Sequence, residues 1–354
     1  MHRTRLRGEP AGNRTAVGRG IGGHRDCAAA QGGHSDKSAQ GSGRRDRCKD
    51  PGSAVHRNRA GREDQYDLGR ISWQSLNSVQ TLTHIRALLD AHGLKPQHRL
   101  GQNFLHDKNL LKRLIEAARI TPGELVLEIG PGTGSLTEGL CAAGAEVLAC
   151  EIDAGLAIIM RDHFPGVQLL ECDCLGRGRR LATPLTDVLA GRPFKLVANL
   201  PYQVASTVIV SLLVHHPECR GQFVTIQQEV AERLAAEPGT KAYGALTVTV
   251  AGLAEVTSIA QLPASCFWPR PKVASTMVAL RPREPREHGI TDPEALAKFA
   301  TALFGKRRKQ LGTIFGREIK WPDGITADLR PDALTVGQII KLCSLLSSSS
   351  SPNG

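Results

Sequence analysis

The sequence contains no apolar run long enough to span a bilayer, which excludes an integral helical membrane protein. It has nine cysteines but no C-x-x-C pair. Cys172 and Cys174 flank Asp173, yet no second pair completes a zinc spacing, so no metal site is expected. The chain reads as a reduced, cytoplasmic protein. Its N-terminal stretch lacks the apolar segment of a secretory signal. Acidic residues are in deficit: the net charge is +11 and the pI about 9.4, which suits an acidic partner such as nucleic acid.

That excess is unevenly spread. Residues 1–78 carry 15 Lys and Arg against 8 Asp and Glu, a net of +7, whereas the other 276 residues carry 30 against 26, a net of +4. The first stretch is rich in Gly, Arg and Ser with almost no apolar periodicity, so it is expected to be disordered. It reads as a basic tethering arm or as a mis-assigned start with translation beginning near Val79. At 354 residues there is room for one large domain or two smaller ones.

The most informative stretch is Glu128-Ile129-Gly130-Pro131-Gly132-Thr133-Gly134. An apolar run, Glu124–Leu127, precedes it, and Leu136–Leu140 follows with helical spacing. The glycines therefore sit in a tight strand-to-helix turn, where positive φ and close backbone approach to a ligand are needed. Ser135 stands where a dinucleotide fingerprint carries its third glycine, and Pro131 removes an N–H that a pyrophosphate would use. Both features disfavour a nicotinamide dinucleotide. The next strand, Ala145–Cys150, ends at Glu151, placed to hold two ribose hydroxyls. Glycine loop and acidic strand end together suit an adenosine-type cofactor without phosphates, such as S-adenosylmethionine.

Further strands are expected at Val167–Glu171, Phe194–Ala198 and Phe223–Gln227, with helices at Leu156–Phe164, Val204–Val214 and Val230–Ala236. Ser275–Leu280 is expected to close the sheet as a late strand. Strands alternating with helices imply a mostly parallel sheet covered on both faces, with ligands at the strand carboxyl ends. The Gly130–Gly134 loop, Glu151, Asp173 and Asn199 all fall there. Before the sheet, Leu82–Leu89 and Asn109–Arg119 have helical spacing. After it, a Pro/Arg linker from Pro282 leads to helices at Pro293–Phe304 and Val336–Leu346, and the serine run Ser347–Ser351 reads as a frayed tail.

Asn199-Leu200-Pro201-Tyr202 is a second landmark. At a strand end, an Asn side-chain oxygen and a backbone carbonyl near Leu200 can accept hydrogen bonds from an exocyclic amine. Tyr202 offers a ring face on which a base can stack, worth roughly 1–3 kcal/mol. No strong general base is needed, because the proton can leave after transfer.

With these stretches stand Leu100–Leu105, Gln228–Leu234, Lys241-Ala242-Tyr243-Gly244, Phe267–Val273 and Lys306-Arg307-Arg308-Lys309. Over residues 82 to 315 the chain resembles the ribosomal RNA adenine N6-dimethyltransferase family. It is most similar to the branch that dimethylates two adjacent adenosines near the 3′ end of small-subunit (16S) rRNA. The resemblance implies a Rossmann-like α/β methyltransferase sheet over residues 79–281, a small helical RNA-docking domain over 282–346 and a tail over 347–354. It implies cofactor contacts at Asn103, Leu105, Gly130, Gly132, Glu151, Asp173 and Asn199. Asn199, Leu200 and Tyr202 would serve the target amine and base, with Phe267 stacking opposite Tyr202. Lys306, Arg307, Arg308 and Lys309 would bind RNA. The expected partner is 16S rRNA within an immature small subunit, met by a monomer. Ala245 and Ala274 stand where the family often carries Arg and Asp. Two other readings stay open: a 23S rRNA adenine methyltransferase of the macrolide-resistance type, and a ribosome-assembly factor with incidental activity.

Overall fold

A computed structural model describes residues 80–348. The expectations for residues 1–78 and for the end of the tail lie outside them. The chain enters through α1 (Leu82–Ala91), capped by the Thr81 hydroxyl, and a two-residue strand β1 (Phe104–Leu105). Next comes α2 (Lys108–Ala118). The Asp107 carboxylate caps α2 by accepting from the amides of Asn109 and Leu110. Leu111, Leu114, Ile115 and Ala118 recur at helical spacing and are buried.

The main sheet then builds by strand–helix alternation. β2 (Leu125–Ile129) leads to α3 (Ser135–Ala142), β3 (Glu146–Glu151) to α4 (Ala154–His163), and β4 (Gln168–Glu171) to α5 (Thr183–Leu189). β5 (Phe194–Asn199) leads to α6 (Ala205–His215), and β6 (Cys219–Gln227) to α7 (Gln228–Leu234). β2 is buried along its whole length, as a central parallel strand covered on both faces must be.

Then come α8 (Ala245–Leu253), β7 (Ala254–Leu262), β8 (Phe267–Trp268) and β9 (Ser275–Pro282). The seven-stranded order is β4-β3-β2-β5-β6-β9-β7. β2 to β6 run parallel to their neighbours, while β9 is antiparallel to both β6 and β7. β9 therefore does not close the sheet, as the sequence reading expects. It is inserted between β6 and β7, and β7 forms the edge.

The sequence reading assigns no element between Ala236 and Ser275. The reason is local. Ala245-Leu246-Thr247-Val248-Thr249-Val250 is β-branched and has no polar face, so it shows no helical period. It folds as α8 because it is enclosed: residues 246–250, Gly252 and Leu253 are all buried.

The C-terminal segment contains α9 (Pro293–Gly305), α10 (Leu311–Phe315) and α11 (Val336–Ser348). α11 carries the helix through Ser347, whose hydroxyl donates to the Cys343 carbonyl at 2.9 Å. These helices share one apolar cluster with Tyr243, Val248 and Leu253. Residues on the two sides of Pro282 thus pack in a common core.

Candidate active site

The ends of four strands, β2 to β5, and one N-terminal segment converge on a cleft of about 190 Å³. Gly130, Gly132 and Gly134 have φ of +72°, +62° and +87°, which side-chain-bearing residues rarely adopt. A Cβ on Gly132 would also come within 3.0 Å of the Phe104 ring, so the loop admits no side chain there. The loop is clamped from the N-terminal side by Gln80. Its Nε2 donates to the Thr133 carbonyl at 2.6 Å, and its Oε1 accepts from the Ser135 hydroxyl at 3.2 Å.

Glu151, at the end of β3, is 5 % exposed. Its Oε2 accepts from the Gly132 amide at 3.2 Å and its Oε1 from the Asp153 amide at 2.9 Å. Burial pushes its carboxyl above the usual carboxylate range, against those backbone hydrogen bonds. Glu128, inside β2, is buried more deeply and its pKa is raised to about 8. Loss of hydration is the main cause. The 2.7 Å hydrogen bond from the Thr137 hydroxyl opposes it, and the nearby Glu151 charge adds to it. Asp173 lies two residues past β4, exposed at the cleft wall, with Oδ1 accepting from the Leu175 amide at 2.9 Å.

Asn199 ends β5. Its Nδ2 donates to the Asn103 carbonyl at 3.0 Å, which fixes the amide orientation, because a flip would set oxygen against oxygen. Its Oδ1 is buried and has no hydrogen-bond partner. The Leu200 amide donates to the Thr225 carbonyl at 3.2 Å, tying the tetrapeptide to β6. The Tyr202 hydroxyl meets the Ser275 hydroxyl at 2.7 Å, so the half-buried ring is held from β9.

The segment bearing Asn103 is latched by Asp153, the N-cap of α4. Asp153 Oδ1 accepts from the amides of Gly155 and Leu156, while Oδ2 accepts from Gln97 Nε2 at 2.6 Å and Gln102 Nε2 at 2.7 Å. Gln102 Oε1 in turn accepts from the Gln97 amide at 2.7 Å. The sequence motifs point to neither Gln80 nor Gln97. No local pattern marks them, since their partners lie 53 and 56 residues away.

Of the residues expected from the sequence, Asn103, Leu105, Gly130, Gly132, Glu151, Asp173, Asn199, Leu200 and Tyr202 all line this one cleft. Phe267 does not. It is 3 % exposed, pairs with Leu105 across the β1–β8 ribbon and packs in the core with Leu111 and Leu114. In this structure its ring is a core aromatic rather than a face opposite Tyr202. Lys306 to Lys309 lie in the turn after α9. Lys306, Arg308 and Lys309 are exposed. Arg307 is half-buried and held by four hydrogen bonds to its own chain. Among the described residues no cluster of His, Cys, Asp and Glu suits a metal, and no helix is long and apolar enough to cross a membrane.

The cleft fits an adenosine-type sulfonium cofactor: side-chain-free backbone at the loop, a buried carboxylate beside it, and apolar walls. A family model described as ribosomal RNA adenine dimethylase matches residues 93–347. The chain is 40 % identical over 278 residues to a ribosomal RNA small subunit methyltransferase A of Magnetococcus marinus, covering 76 % of this chain and 98 % of that protein. It is 36 % identical to its namesake in Cutibacterium acnes, over 74 % of this chain and 92 % of that one. A crystal structure of a dimethyladenosine transferase from Plasmodium falciparum is similar at a TM-score of 0.56 and 25 % identity, over 69 % of this chain and 98 % of that one.

Proposed function

The chain belongs to the ribosomal RNA adenine dimethylase family, and from that premise we propose that it dimethylates N6 of two adjacent adenosines near the 3′ end of 16S rRNA. S-adenosylmethionine supplies the electrophilic methyl groups. The relatives' names, which specify the small subunit, support 16S over 23S RNA. The substrate is rRNA in the immature small subunit, and the protein acts in the cytoplasm as a monomer. Residues 79–281 carry the chemistry and 282–346 assist docking.

The observation that carries this reading is the orphaned Asn199 Oδ1. Leaving a buried polar atom unpaired costs roughly 1–3 kcal/mol, and of the described side chains with such an atom Asn199 is the one that lines the cleft, where a ligand can complete it. An adenine N6–H is such a donor. When Oδ1 accepts that hydrogen, the nitrogen lone pair leaves conjugation with the ring and becomes available to an electrophile. Tyr202, held by Ser275, gives the base a surface on which to stack. Glu151 and the loop amides orient the ribose side of the cofactor, with Asp173 at the adenine end. The proton departs after transfer, so no residue must act as a strong base. Asn199 acts mainly by positioning and electrostatics.

The test is transfer of radiolabelled methyl groups to immature small subunits, followed by identification of the modified nucleotides. Dimethyladenosine at two adjacent positions of 16S rRNA is expected. Label confined to large-subunit RNA, or single methyl groups only, would overturn the assignment.

A further inference from the structure

By sequence, Lys306-Arg307-Arg308-Lys309 is one basic run whose members are equivalent. The structure separates them. Arg307 Nη1 donates to the carbonyls of Lys241 at 2.9 Å and Tyr243 at 3.0 Å. Its Nη2 donates to the Thr240 carbonyl at 2.7 Å, and its Nε to Asp332 Oδ2 at 3.2 Å. A planar guanidinium recognises phosphate by presenting two parallel N–H groups on one edge. Here those edges are turned onto the protein's own backbone.

The loop that Arg307 grips is fixed from two further points. The Gly239 amide donates to the Asp332 carbonyl at 2.7 Å, and the buried Tyr243 hydroxyl donates to the Leu334 carbonyl at 2.8 Å. Lys241 is therefore carried on a rigid segment directly against the turn that bears the basic run. Its side chain is exposed, as are those of Lys306, Arg308 and Lys309. Among the described residues none of these four cations forms an ion pair. The local carboxylate of Asp332 is taken up by Arg307. Glu237, at the start of the loop, pairs with none of them.

We propose that Lys241 forms one RNA-phosphate docking surface with Lys306, Arg308 and Lys309, and that Arg307 is the positioning residue that joins the two segments. This rests on the reading of the protein as an rRNA methyltransferase. Four cations without acidic partners are free to neutralise RNA phosphates, and they gain from release of the counterions condensed on them. Arg307 adds no bidentate contact of that kind, because four of its five N–H donors are already taken and neither edge is left with two free N–H groups. It decides instead whether Lys241 stands beside the other three.

Equilibrium binding of the full-length protein to immature small-subunit particles, across a series of salt concentrations, tests this. The wild-type association constant should fall with salt along a linear log–log plot. Lys241→Gln should weaken binding and flatten the slope by about 0.7–0.9, the share of one phosphate contact. Arg307→Lys keeps the charge but loses the fork, so it should flatten the slope by the same amount. The double variant should fall no further than Arg307→Lys alone. An unchanged slope in Lys241→Gln would remove Lys241 from the surface. Arg307→Lys behaving as wild type, with Arg307→Gln weakened, would make Arg307 a direct phosphate ligand and overturn its positioning role. Lys241→Gln breaks no side-chain bond in the fold, so it remains decisive even if Arg307 variants do not fold. A wild-type protein that binds the particles without salt dependence would overturn the rRNA reading itself.

Discussion

Asn199 and Glu151 line the same cleft, and in the proposed reaction one serves the target amine and the other the cofactor. Their variants should leave different kinetic traces. Asn199→Ala should lower kcat and kcat/KM together, because the bond to Oδ1 strengthens as the nitrogen becomes tetrahedral. Steady-state methylation of immature subunits reads this directly, and an effect on KM alone would move amine activation elsewhere. Glu151→Ala removes charge-assisted hydrogen bonds worth roughly 1.5–3 kcal/mol. Affinity for S-adenosylmethionine, read by calorimetric titration, should fall by roughly ten- to a hundredfold at about 1.4 kcal/mol per decade. Glu128 makes a third case, in stability. Native Glu128 keeps its proton up to about pH 8, whereas the unfolded chain releases it near 4.5, the ordinary glutamate value. Between those values the folded state binds more protons, so its stability falls as pH rises through that window. Glu128→Gln keeps an acceptor for the Thr137 hydroxyl and removes the titration. Melting in the absence of cofactor should show little difference from wild type at pH 4.5, and a growing advantage for the variant up to pH 8. Parallel melting curves across that range would show that Glu128 ionises normally.

Asp153 helps to hold the N-terminal segment at the cleft by performing two tasks, one with each carboxylate oxygen. Oδ1 caps α4 and Oδ2 receives both glutamine amides. Asp153→Asn separates them, since Asn caps a helix about as well as Asp but its amide nitrogen cannot accept. The melting temperature should stay close to wild type. Hydrogen exchange across residues 97–103 should speed up, and cofactor affinity should fall about tenfold, in line with roughly 1.5 kcal/mol for a hydrogen bond to a charged group. Asp153→Asn combined with Gln102→Glu reverses donor and acceptor for one of the two bonds and should recover part of the loss. No change in exchange or affinity would reduce Asp153 to a helix cap. The same dependence on distant partners explains α8 and β7. Their local patterns contradict or conceal their state: burial between the sheet and the C-terminal helices decides α8, and pairing with β9 decides the edge strand β7.

At the scale of the whole molecule, the cleft is lined by residues between Leu100 and Val204, and among the described residues Gln80 is the first to touch the glycine loop. The Magnetococcus relative is matched over 98 % of its length by 76 % of this chain. A protein beginning at Val79 should therefore bind cofactor and methylate as the full chain does. Adding Gln80→Ala to it should weaken cofactor binding by several-fold, since the Thr133 carbonyl and Ser135 hydroxyl lose their partner. Side-by-side titration and methyl transfer measure both. A Val79 protein that loses its cofactor site would assign residues 1–78 a part in it.

The sequence by itself determined the parallel α/β order, the glycine turn, Glu151 and the Asn199–Tyr202 corner. Those signals are local: a turn that only glycine allows, a strand period, a carboxylate at a strand end. Their convergence followed from the rule that parallel strands present their carboxyl ends on one side. Tertiary structure alone decided the latch of Gln97 and Gln102 on Asp153, the burial of Phe267 and the place of β9. It also decided the division of the basic run, because Arg307 looks like its neighbours until its partners at residues 240–243 and 332 are in place. A side chain's type is written in the chain; whether its donors face solvent or a backbone carbonyl is settled only when segments 64 to 67 residues apart meet.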